Sequence, residues 1–263
     1  DIDIIVNLTI PAAHFAVTKS ILEAGKHAYT EKPLVLSLDE GKALRDLAAA
    51  KGLRVGSAPD TFLGGAHQQA RQIIDAGKVG RITSGTAHVM SPGMEMWHPN
   101  PDFFFQPGAG PMLDLGPYYV TNLIQLLGSV KRVGALTSMA NPTRTITSEP
   151  RNGEVIPVTT PTNIHALLEF DQGATITLST SWDVFAHRHA NMELYGTEGS
   201  LFVPDPNFIG GKLETAGRDG EVAEVAAWEH PFGVPNQPHK QGKMANYRGA
   251  GLADMAVAIQ EGR

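Results

Sequence analysis

The order of apolar and polar positions in the first 80 residues predicts a parallel sheet covered by helices. Residues 2–8 form a nearly continuous apolar run with β-branched side chains, which is typical of a strand buried on both faces. A helix begins at Pro11, a position where proline is tolerated, and it ends at Gly25. Residues 27–30 form a second short strand.

The next helix begins at a capping box. Ser37 and Glu40 have the three-residue spacing of this motif, and Gly52 ends the helix. A third strand follows at residues 53–56, and a third helix at residues 68–76. Strands and helices that alternate with short loops form a βαβαβ unit, which we assign to a first domain at residues 1–80.

The pattern changes after residue 80 and predicts an open, mostly antiparallel sheet with helices on one face. Residues 91–111 form a long loop rich in proline, glycine and aromatic residues, and one helix follows at 112–127. Residues 141–161 are polar, and we expect them to be disordered. The strands of this second domain (81–263) are residues 81–91, 130–140, 163–170, 174–182, 191–195, 200–203, 212–216 and 221–228, and a helix covers 249–261. The fold class is therefore α/β followed by α+β.

Composition narrows the possible functions. The 263 residues include 21 Lys and Arg against 27 Asp and Glu, a net charge of −6, which disfavours binding to nucleic acid or to an acidic membrane surface. Cysteine is absent, which excludes disulfides, thiol catalysis and Cys-ligated metals. We expect neither a transmembrane helix nor a signal peptide, and a cytoplasmic location. The sequence starts at Asp1, directly before a strand, which favours a longer parent chain.

Two segments at the ends of predicted strands carry candidate chemistry. Residues 7–14 include Thr9, Pro11 and His14, and the next strand ends in Glu31-Lys32-Pro33. Ligands of open α/β sheets bind outside the carboxyl ends of the strands, where a lysine can donate to a ribose or a substrate hydroxyl. Each segment alone also fits an ordinary role, as a turn with a surface histidine or as an ion pair before a turn.

A third segment, residues 108–119, combines a glycine-rich start with Asp114 and Tyr118 on a predicted helix. The two side chains stand four residues apart and therefore share one face of that helix. Glycines at its start allow a ligand to approach closely. Alone, Asp114 also fits an ordinary first-turn carboxylate, and Tyr118 a core residue.

Together these segments resemble the glucose–fructose oxidoreductase, inositol dehydrogenase and rhizopine-catabolism (Gfo/Idh/MocA) family of NAD(P)-dependent oxidoreductases. The shared pattern is Pro-x-x-His, then Gly-Lys-His with a following Glu-Lys-Pro, then a glycine-rich Asp-Leu-Gly helix before an open sheet. The resemblance covers essentially the whole chain. It implies that residues 1–80 are the second half of a Rossmann domain and that 81–263 bind the substrate. The first half, with the phosphate-binding turn and the residue that selects NAD or NADP, lies outside these 263 residues.

The resemblance also implies roles for individual residues. Lys32 contacts the nicotinamide ribose and the substrate, and its bond to Pro33 is cis, while Ala12 replaces an asparagine common in the family. The residues implied to contact NAD or NADP are Thr9, Pro11, His14, Glu31, Lys32 and Pro33.

The implied catalytic residues are Lys32, Asp114 and Tyr118, and Tyr118 stands where many members have a proton-transferring histidine. Oxidation of a carbinol needs a hydride acceptor at the carbon and a base at the hydroxyl. A nearby ammonium favours the ionised form of a phenol. Our hypothesis is that Lys32 and Tyr118 form the acid–base pair, and that Asp114 orients Lys32 or a substrate hydroxyl.

Weaker substrate candidates are Trp97 and His98 in the long loop, and His187, which precedes His189 by two residues on an apparent strand edge. The aromatic and polar groups of the loop suit a sugar ring. A metal site at the two histidines would need a neighbouring carboxylate, and we expect no metal.

The sequence therefore predicts an NAD(P)-dependent dehydrogenase or reductase that acts on a sugar, an inositol or a related polyol. Two alternatives stay open, an NAD-assisted glycosidase on the same scaffold and a non-catalytic member that senses the dinucleotide. We expect a homodimer or homotetramer that assembles through the open sheet face, with exposed apolar residues on its strands. The residues expected on this face are Leu167, Ile176, Leu178 and Leu194.

Overall fold

The computed structural model describes residues 2–239 and 242–263. Its helices and strands, in chain order, are β1 (Ile4–Asn7), α1 (Pro11–Glu23), β2 (His27–Thr30), α2 (Leu38–Lys51), β3 (Val55–Ser57), α3 (Gly65–Asp75), β4 (Ile82–Met90), α4 (Gly110–Asp114), α5 (Gly116–Leu127), β5 (Val130–Ser138), β6 (Thr143–Thr145), β7 (Val155–Pro157), β8 (Asn163–Phe170), β9 (Thr175–Ser181), β10 (Met192–Gly196), β11 (Ser200–Val203), β12 (Glu214–Ala216), β13 (Val222–Glu224), β14 (Gln237–His239), β15 (Gly242–Met244) and α6 (Ala250–Glu261). None of the described helices has the length and apolar character needed to cross a membrane.

Contacts divide the chain into two compact units. Unit 1 comprises Asp1–Asp60 and Arg248–Arg263, and unit 2 is Thr61–Tyr247. The sequence pattern predicts a domain boundary at residue 80. In the structure α3 belongs to unit 2 because it packs against α5 and β11, and α6 belongs to unit 1 because it packs against β3.

Unit 1 contains the predicted βαβαβ arrangement. The strand order is β1-β2-β3, and both pairings are parallel. The capping box at Ser37 is present, and Gly52 ends α2 in the left-handed conformation. Asp60 accepts hydrogen bonds from the main-chain N–H groups of Gly249 (2.9 Å) and Gly251 (3.1 Å), which joins the start of α6 to the unit.

The prediction that the first strand is buried on both faces is wrong. Ile5 and Val6 are exposed, because β1 is an edge strand of the three-stranded sheet. The apolar core of this unit lies instead around Leu22, Ala28 and Leu44, between the sheet and its helices.

Unit 2 is built on an eight-stranded sheet with the order β13-β12-β11-β10-β4-β9-β8-β5. Only β4 and β9 pair in parallel, so the predicted open and mostly antiparallel sheet is confirmed. Alternate residues of its strands pack with α3 and α5 in one large core, where Leu123, Phe170 and Ile176 are fully buried.

The open face of this sheet is less apolar than predicted. Ile176, Leu178 and Leu194 are buried on the helix side, and only Leu167 of the four expected residues is exposed. A strand's side chains alternate between the two faces, and these three residues fall on the covered one.

The helix predicted at 112–127 is two helices. Asp114 ends α4, and α5 begins at Gly116. Pro117 has no N–H to continue the helical hydrogen bonds, so the chain breaks before it. Asp114 and Tyr118 therefore do not share the face of one continuous helix.

The prediction of disorder at residues 141–161 is also wrong. This stretch contains the hairpin β6–β7, and Ile146, Ile156 and Val158 pack with Phe105 and Trp182 in a second core. The segment is polar overall, but it contains three apolar side chains that become buried when the hairpin packs against the long loop.

A buried ion-pair network holds this hairpin in place. Arg144 on β6 binds Glu95 (3.2 Å) in the loop and Asp183 after β9, and the three side chains are 11%, 9% and 13% exposed. Asp183 also accepts hydrogen bonds from Thr162 (2.6 Å) and Asn163 (2.5 Å). One guanidinium thus ties the hairpin, the long loop and the sheet together.

We expect Arg144→Met to destabilise unit 2 by about 3–5 kcal/mol, because it leaves two carboxylates buried without their cation. Urea unfolding followed by tryptophan fluorescence measures this, since Trp182 packs in the same core. Arg132→Met is the matched control. The Arg132 side chain is 79% exposed, and its ion pair with Glu169 contributes less than about 1 kcal/mol to stability. Equal effects of the two substitutions would contradict the prediction.

Candidate functional site

Asn7 organises the turn between β1 and α1. This buried side chain donates to the Thr18 hydroxyl (3.0 Å) and to the carbonyl oxygen of His14 (3.2 Å). Its Oδ1 accepts from both the N–H (3.2 Å) and the hydroxyl (2.7 Å) of Thr9. The motifs do not predict this role, although a polar residue that ends an apolar strand is a signal for it.

His14 connects the loops that follow β1 and β2. Its ring is fully buried, with Nδ1 2.6 Å from the carbonyl oxygen of Pro33 and Nε2 2.9 Å from that of Thr9. A neutral imidazole donates one of these hydrogen bonds, and a protonated ring donates both. His14 is therefore a positioning residue for the two loops. Its contact with a cofactor stays a prediction.

Glu31, Lys32 and Pro33 follow β2 at the same edge of the sheet. The Glu31 N–H donates to the carbonyl oxygen of Asn7 (3.0 Å), and the Glu31 carboxylate accepts from the Lys32 N–H (3.0 Å). The Lys32–Pro33 peptide bond is cis, as the family resemblance implies. Parallel strands place these groups beside Thr9 at their carboxyl ends, the position where such sheets bind ligands.

Asp114 and Tyr118 lie in unit 2, on either side of the junction between α4 and α5. Asp114 is half-buried, whereas Tyr118 is 7% exposed and belongs to the large core. The Tyr118 N–H donates to the carbonyl oxygen of Leu115 (3.2 Å), which is the tighter spacing of a helix end. Gly110 begins α4 at a φ of +86°, and a Cβ there would lie 3.0 Å from the carbonyl oxygen of Pro161.

A polar network anchors the residue next to Tyr118. The Tyr119 hydroxyl donates to Asp205 (2.9 Å) and accepts from the side-chain amide of Asn191 (3.0 Å). The Asn207 N–H donates to the same Asp205 oxygen (2.9 Å). This network fixes α5 against the start of β10 and the turn after β11. No sequence motif predicts it, because its members are far apart along the chain.

Burial raises the pKa of Asp205, although the hydrogen bonds from Asn207 and Tyr119 oppose this change. Burial and the nearby Asp205 carboxylate raise the pKa of the Tyr119 phenol, which therefore stays protonated and donates. The anchor thus depends on a half-buried carboxylate that accepts hydrogen bonds from two neutral donors.

Trp97 and His98 lie in an ordered aromatic cluster of the long loop. The His98 ring packs edge-on against Trp97 (5.5 Å), Phe103 (5.6 Å) and Phe104 (5.1 Å), and the Ser148 hydroxyl donates to its carbonyl oxygen (2.6 Å). Trp97 remains 64% exposed. The cluster exposes the Trp97 indole, and the His98 ring is half-buried among its aromatic neighbours.

The remaining candidate, His187, is exposed in the segment between β9 and β10, and its ring lies parallel to that of His189 at 6.0 Å. Among the described residues no group of three or more His, Asp or Glu side chains is arranged to hold a metal ion.

The structure thus brings the implied cofactor residues together in unit 1. Thr9, His14, Glu31, Lys32 and Pro33 share one edge of the sheet, and Pro11 begins the helix beside them. The other candidates, Asp114, Tyr118, Trp97, His98 and His187, all belong to unit 2.

Comparison with known families identifies this arrangement. The GFO/IDH/MocA C-terminal domain matches residues 67–202, and the oxidoreductase family NAD-binding Rossmann fold matches residues 1–58. The chain belongs to the GFO/IDH/MocA family. The resemblance drawn from the motifs and the fold class is therefore confirmed.

Relatives of this GFO/IDH/MocA chain include named dehydrogenases. Levoglucosan dehydrogenase of Pseudarthrobacter phenanthrenivorans is 26% identical over 256 residues, which cover 89% of this chain and 64% of that protein. scyllo-Inositol 2-dehydrogenase (NAD(+)) of Bacillus subtilis is 26% identical over 204 residues, with coverages of 77% and 55%. The apo form of levoglucosan dehydrogenase has a similar fold, with a TM-score of 0.79, 25% identity and coverages of 100% and 72%. The chain spans 36% to 64% of the length of the curated relatives it matches.

We expect Asp205→Asn to flatten the pH dependence of stability. Because the pKa of Asp205 is raised on folding, the folded state binds the extra proton, and the free energy of unfolding falls as pH rises above the ordinary carboxyl pKa. The asparagine side chain can still accept the hydrogen bond from the Tyr119 hydroxyl, but it has no proton to gain or lose in this pH range. Urea unfolding between pH 4 and 7 measures the free energy of unfolding of both proteins. The stability of the variant relative to the wild type should increase with pH.

Asp171→Asn is the control for this experiment, because Asp171 is exposed in the turn between β8 and β9. Its stability curve should run parallel to that of the wild type. A parallel curve for Asp205→Asn as well would contradict the assignment of a raised pKa.

Proposed function

We propose that this family member is an oxidoreductase that transfers a hydride between NAD or NADP and a carbinol or carbonyl carbon of a sugar, an inositol or a related polyol. The observation that supports this most is the Glu31-Lys32-Pro33 loop, held by the buried His14 ring at the carboxyl edge of a parallel sheet. Family membership and the dehydrogenases among its relatives point to the same chemistry.

The residues at this edge fit the ribose side of a nicotinamide nucleotide. Lys32 is half-buried and offers an ammonium donor, and the exposed Thr9 stands beside it with its hydroxyl already held by Asn7. His14 fixes the main chain of both loops, so the donors are positioned before a ligand arrives. Pro11, Glu31 and Pro33 complete the set that we propose to line the cofactor.

The nicotinamide ring, when bound, supplies the two-electron acceptor for the hydride that leaves the carbinol carbon. The hydroxyl proton then needs a base, and we assign this role to the Tyr118 oxygen. Asp114 accepts a hydrogen bond that orients a substrate hydroxyl. In the reverse direction Tyr118 returns the proton to the carbonyl oxygen.

The relatives favour a ring-shaped polyol as substrate. Their names include levoglucosan dehydrogenase, D-xylose dehydrogenase and scyllo-inositol 2-dehydrogenase. An exposed indole such as Trp97 packs well against the apolar face of a sugar ring, and we propose that Trp97, His98 and His187 cover the substrate. A substrate screen therefore begins with anhydrosugars, aldopentoses and inositols.

We expect Tyr118→Phe to lower turnover of the best substrate by about 100-fold, the usual contribution of a general base, and to leave the affinity for the cofactor unchanged. Absorbance of the reduced nicotinamide measures turnover. Fluorescence titration with NADH and NADPH measures the affinity for each nucleotide and identifies the preferred cofactor. Tyr195→Phe is the control, because Tyr195 binds Glu193 (2.6 Å) on β10 and has no place in the proposed reaction.

Turnover of Tyr118→Phe near that of the wild type would contradict the proposed base. Absence of binding for both nucleotides would mean that these 263 residues do not act as an oxidoreductase on their own. Tight binding without any polyol oxidation would favour a dinucleotide sensor, and cleavage of a glycoside without net release of NADH would favour the NAD-assisted glycosidase.

We also propose that the chain forms a homodimer or homotetramer through the open face of the large sheet and acts in the cytoplasm. Leu136 on β5 and Leu167 on β8 are 81% and 56% exposed on that face. Sedimentation velocity should show a dimer or tetramer that Leu136→Glu weakens, with Val155→Glu as an exposed control outside this sheet. A monomer in the wild type would contradict this proposal.

A further inference from the structure

A cavity of about 450 Å³ lies within unit 2, at the start of α3. We call it the α3 cavity. Because α3 packs on the covered face of the large sheet, the cavity lies away from the open face proposed for subunit contacts. None of its described lining residues is proposed above to bind cofactor or substrate. Its wall is mostly apolar, with the side chains of Leu213, Val225, Trp228, Pro235 and Met244.

Glycines let separate segments of main chain meet around this cavity. A Cβ at Gly65 would lie 2.8 Å from the Cα of Gly233, and a Cβ at Gly210 would lie 3.1 Å from the main-chain nitrogen of Ala245. All four residues line the α3 cavity. Main-chain groups therefore form part of its wall, and no side chain from these positions fills the space.

Two contacts fix the indole of Trp228 on the cavity wall. Its Nε1–H donates to the carbonyl oxygen of Gly65 (2.8 Å). The His230 ring is stacked on it, with 5.3 Å between the ring centroids and 19° between the planes. An aromatic surface held in this way loses little side-chain entropy when a ligand packs against it.

The start of α3 favours a negatively charged group. Its N-cap, Gly64, provides no side-chain hydrogen bond, and its first turn contains no acidic residue. The first N–H groups of a helix have no partner within the helix and lie at the positive end of its dipole. Ala66, in this first turn, lines the α3 cavity. Such helix starts bind carboxylates and phosphates.

The lysines of the cavity add positive charge at the same place. Lys212 lies 2.7 Å from Glu214 and 3.7 Å from Glu224, so it offsets the carboxylate of Glu224 on the cavity wall. Lys243 is exposed and lines the cavity, and it forms no ion pair with any residue that the structure describes. Lys243 is therefore available to an anionic ligand.

Gln69 provides a hydrogen-bond acceptor. This side chain is 8% exposed, and its Nε2 donates to the carbonyl oxygen of Ala226 (2.8 Å). Its Oε1 accepts no hydrogen bond from a described residue, yet it is not sealed inside the protein as the unpartnered Oδ1 of Asn122 is. Because Gln69 lines the α3 cavity, this oxygen is offered to a ligand there. A buried acceptor of this kind favours a ligand that brings a donor.

We propose that the α3 cavity binds a small aromatic carboxylic acid that carries a ring hydroxyl. The carboxylate lies at the first N–H groups of α3 and pairs with Lys243, the hydroxyl donates to Gln69, and the ring packs against Trp228. Gln69 follows Ala66 by about 4.5 Å along the helix axis, so one ring with two substituents reaches both groups.

A neutral polyol suits this cavity less well, because its hydroxyls would lie against an apolar wall without partners. The inference therefore goes beyond the proposed oxidoreductase activity, whose substrate is a polyol. It does not depend on that activity, since binding alone tests it.

The test is calorimetric titration with 4-hydroxybenzoate and 3-hydroxybenzoate, with NMR of the three tryptophan indole N–H groups to locate the ligand. The Trp228 signal, assigned with Trp228→Phe, should shift, while the signals of Trp97 and Trp182 should not. Benzoate, which lacks the hydroxyl, should bind about fivefold more weakly. 4-Hydroxybenzamide, which lacks the charge, should bind about tenfold more weakly than 4-hydroxybenzoate.

Two substitutions separate loss of binding from loss of folding. Ala66→Asp places a carboxylate at the position of the anion and should weaken both hydroxybenzoates at least tenfold. Its urea midpoint should not fall, because an acidic residue in the first turn stabilises a helix. Lys243→Gln should weaken them about fivefold. Lys78→Gln is the matched control, because it removes an exposed lysine just beyond the other end of α3, and it should leave affinity within twofold.

Several results would overturn the proposal. Absence of binding by both hydroxybenzoates would do so, and so would a shift confined to the Trp97 signal, which would place the ligand at the long loop. Equal affinity of the wild type and Ala66→Asp would exclude the start of α3 as the anion site. Equal affinity for benzoate and both hydroxybenzoates would exclude Gln69 as the acceptor, and with it the proposed ligand class.

Discussion

The parallel pairing of β1, β2 and β3 is the constraint on which unit 1 depends. Parallel strands run in one direction, so the loops that follow β1 and β2 emerge at the same edge of the sheet. His14 uses this closeness, because one buried imidazole reaches a carbonyl oxygen in each loop. Lys32 therefore stands in a main chain that is fixed on both sides, which suits a residue proposed to hold a cofactor and a substrate.

Unit 2 follows from a different regularity, the alternation of side chains along strands. Every second residue of a strand packs under α3 and α5 and belongs to the large core, while the residues between them remain on the open face. The same alternation buries Leu178 and leaves His88 and His165 on the uncovered side. One face of the sheet therefore forms the core that stabilises unit 2, and the other face is available for ligands or other subunits.

Buried polar networks connect the loops to this framework. Arg144 ties the hairpin β6–β7 to Glu95 and Asp183, and Tyr119 ties α5 to Asp205. A buried charge without a partner is costly, so each network favours the arrangement in which its polar groups are paired. These networks hold the long loop with Trp97 and the helix with Tyr118, the two places where unit 2 is proposed to meet the substrate.

The sequence by itself determined the βαβαβ unit, the open mostly antiparallel sheet, the capping box at Ser37 and the family, because these depend on local periodicity and on short motifs. It did not determine the break before Pro117, where a missing N–H outweighs an apolar helical pattern. Nor did it reveal the core beneath the hairpin at 141–161 or the contact between Tyr119 and Asp205, because the residues involved are far apart along the chain. Only the tertiary structure brings such residues together, since their burial and their charges act through space rather than along the chain.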